Sequence, residues 1–517
     1  MVYALDHSAD RRNVRNGAMG QTRMTSTQAS TTAGETTPAS RRLTGNLGTF
    51  SIIFMVIAAA APLTVVGGVM PGAFLVGNGI GLPITFVVVA GILMLFSVGL
   101  ISMSKHVPGS GAFFTYISHG LGRTPGVAAS WLAVLTYTTV QASVFSLLGG
   151  TISSSIVMIG GPDVPWWVFA FVAIVVVGVL GYRHIELSSK VLFIALGGEL
   201  IVGLVLVLVV MVTGGAEGIS FGSFSLANIL SGSPGIALMF AVASFIGFES
   251  AVVYRSEVRN PDRTIPRATL GSAAIIGIFY ALTAWALVLG AGESNLIDMA
   301  AEDPGALLTR ITDTYLGPVG SIIATVLLIG SMFAAALSLH NVLARYFHTM
   351  SNSGLLPNAL GEVHQKHGAP HKAAFAQVSI AAVIMVGIVI SGLDPIAVLS
   401  LFAGIGTIAL VVLMAATAIS AIVYSLRNRT EPNAWKAWIA PLLGFLGLAA
   451  LAVLILSNVP LMVGDVNEAG EPTWGVPSLI TLVVVVVMPI IGLVQASILR
   501  KRNPSAYARI TEGLDSE

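Results

Sequence analysis

The chain has 517 residues, 55% of them hydrophobic and 9% charged, with a mean hydropathy of +0.88; these fractions lie far from soluble globular averages and mark a membrane protein. The 25 Lys and Arg nearly cancel the 24 Asp and Glu, which leaves no basic excess for a nucleic-acid partner. Cysteine is absent, which excludes disulfides, thiol catalysis and thiolate metal sites.

Residues 1–46 are rich in Ser, Thr, Gly and Arg, lack an apolar core of signal-peptide length, and read as a disordered cytoplasmic tail in which Met24 is an alternative start. A membrane-crossing helix needs about 20 mostly apolar residues, because no water is present to satisfy its backbone. Stretches of that kind run near 49–74, 81–104, 126–157, 166–182, 190–213, 235–255, 268–291, 318–344, 373–392, 395–424, 437–458 and 475–499. They predict an all-α membrane protein with twelve transmembrane helices. Twelve crossings put both termini on one side. The Arg of the tail, the loops holding Lys105 and Arg123, Arg183 and Lys190, Arg255 to Arg267, Arg345 to Lys372 and Arg427 to Lys436, and the C-terminal Arg500 to Arg509 share that side, and Arg310 falls opposite. The positive-inside rule makes the Arg-rich face, with both termini, cytoplasmic. Segment 109–122 reads as an interfacial helix on the inner face or as a plain loop. Pieces 294–301 and 304–313 read as short helices on the outer face.

Two of the spans are interrupted. The first carries Pro62, Thr64, Gly67 and Gly68 in mid-membrane, where Pro removes an amide donor and Gly weakens a helix. The sixth carries Gly247 followed by Glu249. Interruptions at the first and sixth helices are corresponding positions of two five-helix halves, which points to an inverted-repeat transporter with its substrate held at the midplane. A carboxylate in hydrocarbon costs at least a few kcal/mol. Glu249 therefore reads as a proton-titrating or cation-contacting group, with a structural carboxyl on freed amides as the other reading.

Other polar residues lie in the spans. Tyr137 and Gln141 are one turn apart on one face and serve either helix–helix hydrogen bonding or pocket lining. Glu199 has no break near it in sequence and fits a salt bridge or structural hydrogen bond. His340 with Asn341 lies at the inner end of the eighth span, and the spacing His364, His367, His371 reads as a solvated loop.

Three segments carry a family resemblance. "SFIGFESAVVYRSEVRNPDRTIPRA" (244–268) resembles the sixth-helix signature of the amino acid, polyamine and organocation (APC) transporters, "PGSGAFFTY" (108–116) their segment between helices 2 and 3, and "RYFHTMSNSGLLPNALGEVHQKHGAP" (345–370) their loop after helix 8. The resemblance implies a LeuT-like five-plus-five inverted repeat (about 47–213 and 234–426, a core of 47–426), two further C-terminal helices within 427–500, a C-terminal tail at 501–517, and alternating access without ATP. The absence of any Gly-Lys pair agrees, since it excludes a P-loop. The resemblance implies substrate binding on Ala60, Ala61, Pro62, Leu63 and Thr64, with Gly67 nearby, and on Phe245, Ile246, Gly247, Phe248 and Glu249. It also implies a proton-sensitive gate at Glu249. "HIELSSKVLFIAL" (184–196) resembles the start of helix 5 in members that carry a lysine in place of sodium, and Lys190 matches it; an ordinary positive-inside lysine is the other reading. One departure concerns the substrate. The run "AAAPLTVVGG" replaces a Gly-Ser-Gly-type capture of an α-carboxylate and resembles some polyamine importers, whose substrates have no carboxylate.

These readings predict a secondary transporter of the cytoplasmic membrane, without a cofactor, that imports amino acids or related amines by H⁺ symport. Its partners are the small-molecule substrate, protons and the lipid bilayer. Glu249, Lys190 and Glu199 are the candidates for proton coupling or for standing in at an ion site. Tyr137, Gln141 and Phe402 join the substrate-site candidates, and Phe248 and Phe402 either gate the pocket or pack as core aromatics. Rival readings are a polyamine importer, a substrate exchanger, a sensor or a channel. An enzyme is disfavoured by the lack of a nucleophile, base and orienting set in the spans.

Overall fold

A computed structural model describes residues 48–107, 113–182, 189–253, 258, 260–363, 370–467 and 471–512. In chain order the α-helices are α1 (Thr49–Ala60), α2 (Met70–Val76), α3 (Leu82–Ser104), α4 (Phe113–Leu121), α5 (Arg123–Met158), α6 (Trp166–Tyr182), α7 (Ser189–Thr213), α8 (Leu226–Ile229), α9 (Pro234–Ala243) and α10 (Ser250–Val253). There follow α11 (Pro261–Ala291), α12 (Leu296–Glu302), α13 (Leu307–Asn352), α14 (His371–Ser391), α15 (Pro395–Val398), α16 (Gly404–Asn428), α17 (Ala440–Ser457), α18 (Val459–Met462), α19 (Val476–Arg502) and α20 (Pro504–Glu512). Among the described residues no strand forms, and Val466 and Pro472 make an isolated antiparallel bridge.

Ten of these helical stretches are long and apolar enough to cross a bilayer. Each overlies a predicted span. The other two predicted spans are shorter helices, Trp166–Tyr182 and Pro234–Ala243. The second is short because the chain leaves the helix at Ser244 and turns through Glu249 before α10 begins. Helix α13 runs from the outer piece predicted at 304–313 straight into the eighth span, with a kink at Gly317 (φ 71°, ψ 178°) just ahead of Pro318.

Helix α5 is the centre of the bundle. It packs on α4, α6, α13, α16 and α19, and most of its residues are buried inside the protein. Around it, α3 packs on α11 and α17, and α13 packs on α7 and α14. Outward-facing positions of α7, α13, α14 and α19 remain apolar, as expected of surfaces that meet lipid and not water.

Helix α4 forms where a loop was the competing reading. It does not lie on the surface: Phe113, Phe114, Tyr116 and Ile117 are buried, and the helix packs into the angle between α5 and α16. Loops that the charge pattern assigns to one face meet one another. On the Arg-rich face Lys105 Nζ lies 3.8 Å from Glu431 and Thr124 hydrogen-bonds Tyr507 at 2.8 Å. On the opposite face Asn78 donates to the Ile229 carbonyl at 3.1 Å and Trp285 to that of Ser220 at 3.1 Å. His364 and His367 lie outside the described residues, and His371 opens α14.

Candidate functional site

The first span breaks at Ala61, which has a left-handed backbone (φ 45°, ψ 70°). The cause is local: Pro62 disfavours a helical conformation in the residue before it and brings no amide of its own. Beyond it the chain resumes as a π-helical segment, Thr64–Val69, and then α2. Ala60, Ala61, Pro62, Leu63, Thr64 and Gly67 are all buried, so the groups freed by the break need partners within the protein.

Side chains from distant helices supply them. Tyr280 on α11 donates its hydroxyl to the carbonyl of Ala60 at 3.3 Å. The amide of Leu63 donates to Glu199 Oε2 on α7 at 3.2 Å, and that of Thr64 to Ser331 Oγ on α13 at 3.3 Å. The Thr64 hydroxyl also donates to Ser331 at 3.1 Å, and the Ser331 hydroxyl donates in turn to Glu199 Oε2 at 2.9 Å. Glu199 thus acts as the N-terminal cap of the second half of helix 1, although α7 carries it. Lys190 sits in the first turn of α7, about 13 Å along the axis from Glu199, and its side chain lies outside the described residues.

The break in the sixth span has its own carboxylate. Gly247 has φ +102°, a region that glycine enters at no steric cost, and its amide donates to Glu249 Oε2 at 2.9 Å. The other carboxylate oxygen of half-buried Glu249 accepts from Tyr137 Oη on α5 at 3.0 Å. Tyr137 in turn packs with its ring tilted against Tyr346 of α13, centroids 5.6 Å apart, and Tyr346 packs likewise on Phe114 of α4 at 5.7 Å.

The two breaks touch. A Cβ on Gly247 would lie 3.1 Å from Ala59 Cβ and 3.3 Å from its carbonyl. Phe245 packs on Tyr280 with ring centroids 5.8 Å apart and Phe248 on Phe96 at 6.2 Å. Both rings are buried; Ile246 and Phe402 are half-buried, and Phe402 lies on a π-helical turn, Leu399–Ala403.

Gln141 belongs to a separate buried chain. Its amide donates to the Ala336 carbonyl at 3.1 Å, its Oε1 accepts from Gln377, and Gln377 Oε1 meets His340 Nδ1. Because the Ala336 carbonyl only accepts, each amide in turn has one allowed orientation, and His340 must carry its proton on Nδ1. His340 Nε2 has no hydrogen-bond partner among the described residues and faces Gly181 of α6, where a Cβ would sit 2.1 Å away.

Sequence reasoning did not single out Ser331, Tyr280, Tyr346 or Gln377. A lone amide or phenol in an apolar span is itself a signal, since it needs a partner there, and Tyr280 and Gln377 were visible on that ground. A serine in a membrane helix carries no such signal. Chemically, each break presents a carboxylate bonded to a main-chain amide. A proton taken up by either carboxylate weakens its acceptor strength, so protonation is tied to the geometry of a helix break.

The chain is 24% identical over 463 residues to the branched-chain amino acid permease BcaP of Bacillus subtilis, covering 85% of this chain and 92% of that one. It is 24% identical over 330 residues to the low-affinity putrescine importer PlaP of Escherichia coli, covering 62% and 70%. To the serine/threonine exchanger SteT of Bacillus subtilis it is 22% identical over 387 residues, covering 74% and 83%. Residues 47–492 match the model of the amino acid permease family, and the chain belongs to that family, as a multi-pass membrane permease.

Proposed function

We propose that the chain is a secondary active transporter that imports amino acids or related amines across the cytoplasmic membrane by H⁺ symport, through twelve crossings arranged as a five-plus-five inverted repeat with two further helices. One observation carries the reading: two carboxylates, Glu249 and Glu199, each accept from a backbone amide at a helix break, Gly247 and Leu63. In this reading the substrate's amine is held between the breaks, with Ala60 to Thr64 on one side and Phe245 to Glu249 on the other. Glu249 and Glu199 exchange protons as the breaks rearrange. Tyr137 and Tyr346 close the path below Glu249, and both termini face the cytoplasm.

Within that reading, a substrate without a carboxylate has specific support. The amides of Leu63, Thr64 and Gly247 are already taken by Glu199, Ser331 and Glu249. A substrate α-carboxylate would have to displace a protein group to reach them, whereas an ammonium would meet acceptors.

The test is uptake into proteoliposomes with an inward pH gradient, using labelled amino acids and polyamines, repeated after the gradient is collapsed. Accumulation that needs the gradient supports symport, and the class that accumulates fixes the substrate. Accumulation that needs preloaded substrate and ignores the gradient makes the protein an exchanger. The Glu249→Gln protein is expected to fold and to lose the pH dependence of uptake; an unchanged profile between pH 5 and 8 removes Glu249 from the mechanism.

A further inference from the structure

A cavity of about 190 Å³ lies between α7, α13 and the first span, with Ala58, Ala61 and Glu199 in its lining. Its walls are apolar, with Ala195, Val326, Leu327 and Phe333 among them, and its polar members are Glu199 and Ser331. Val326 is 64% exposed and continues the exposed apolar row of Val319, Ile322 and Ile323 on α13. Ile194, Ile201, Leu204 and Leu208 form the matching row on α7. The mouth therefore opens between two surfaces suited to lipid.

Both hydrogen bonds to Glu199, from Leu63 and from Ser331, go to Oε2. Oε1 accepts none from the described residues. An apolar chamber that ends in a free carboxylate oxygen complements an aryl or alkyl group bearing an ammonium. A cavity of about 150 Å³ suffices to hold benzene, so this one has room for benzene with an aminomethyl group. Glu199 lies ten residues into α7, about 15 Å from its start and so near the middle of a hydrocarbon layer of about 30 Å. A phospholipid's own head-group amine stays at the interface and does not reach that depth.

We propose that this cavity is a binding site for small lipophilic amines, entered from the bilayer between α7 and α13, with the ammonium paired to Glu199. The site shares Ala61 and Glu199 with the transport reading above, and its occupancy by an amine does not require a particular direction of transport.

The test is thermal unfolding of the full chain in lipid nanodiscs, titrated with benzylamine and with benzyl alcohol as its uncharged match. Benzylamine is expected to raise the melting temperature several degrees more than benzyl alcohol. Ala195 is one helical turn from Glu199 on the same face, so Ala195→Leu fills the chamber and should abolish the benzylamine shift. Glu199→Gln should reduce that shift to the level of benzyl alcohol. If Glu199→Gln fails to fold, the Ala195→Leu result decides. Equal shifts by the two compounds, no shift by either, or a benzylamine shift that survives Ala195→Leu would each overturn the proposal, the last by placing the amine elsewhere, such as at Glu249.

Discussion

Glu199 and Leu63 are 136 residues apart in sequence and 3.2 Å apart in the fold, joined by a hydrogen bond from the Leu63 amide to the carboxylate. An N-cap is ordinarily a neighbour of the helix it caps. Here the cap comes from another helix, so the stability of the first span depends on how α7 and α13 are seated.

Ser331→Ala is expected to lower stability by about 1–3 kcal/mol, since it strands the buried Thr64 amide and removes a donor from Glu199. Ser331→Thr keeps the hydroxyl and should lose much less. Melting temperatures of the two variants in detergent check this, and equal losses would mean that packing, not hydrogen bonding, sets the effect.

Gly247→Ala places a side chain at φ +102° and against Ala59. The strain of a non-glycine residue there is about 1–3 kcal/mol. Adding Ala59→Gly relieves the contact with the side chain of Ala59 but leaves the backbone strain, so the double variant should recover part of the loss. Full recovery would show that the steric contact alone mattered.

Gln377→Met leaves Gln141 Oε1 and His340 Nδ1–H without partners, at a cost of about 1–3 kcal/mol for each buried group. Gln141→Met on top of it should add little, because the chain is already severed. Additive losses in a double-mutant cycle would contradict a connected network.

Glu217 lies in the connection after α7, where the hydroxyl and then the amide of Ser294 hold its carboxyl below the usual range. A carboxylate with a depressed folded pKa stabilises the fold above its unfolded value, about 4.3, and the contribution is lost as pH falls through the folded value. Ser294→Ala should therefore melt slightly earlier than the parent at pH 7. The gap should close as pH falls below about 4; a gap that persists in acid would assign the effect to Ser294 packing instead.

Much of the helix pattern was legible in sequence because the bilayer imposes it: an apolar run of about 20 residues has few alternatives to a helix. The breaks were legible too, from Pro62 and from the Gly247 and Glu249 pair. What distant side chains do with the freed backbone groups was not. Glu199 lacks a break in its own helix, and only the packing of α7 on the first span reveals which helix it serves. Ser331 has the same appearance in sequence as any small residue in a membrane helix. The π-helical turn around Phe402, Leu399–Ala403, contains no Pro or Gly, and no residue pattern announces it.

The cross-helix cap also bears on how the chain is made. At synthesis rates of about 5–20 residues per second, Leu63 emerges on the order of 10 s before Glu199, and longer still before Ser331. During that interval neither Glu199 nor Ser331 is there to accept the amides of Leu63 and Thr64. The break can close into its final form only once the eighth span has arrived, so truncations that end before Ser331 should leave the first span incompletely built, even though its own residues are all present.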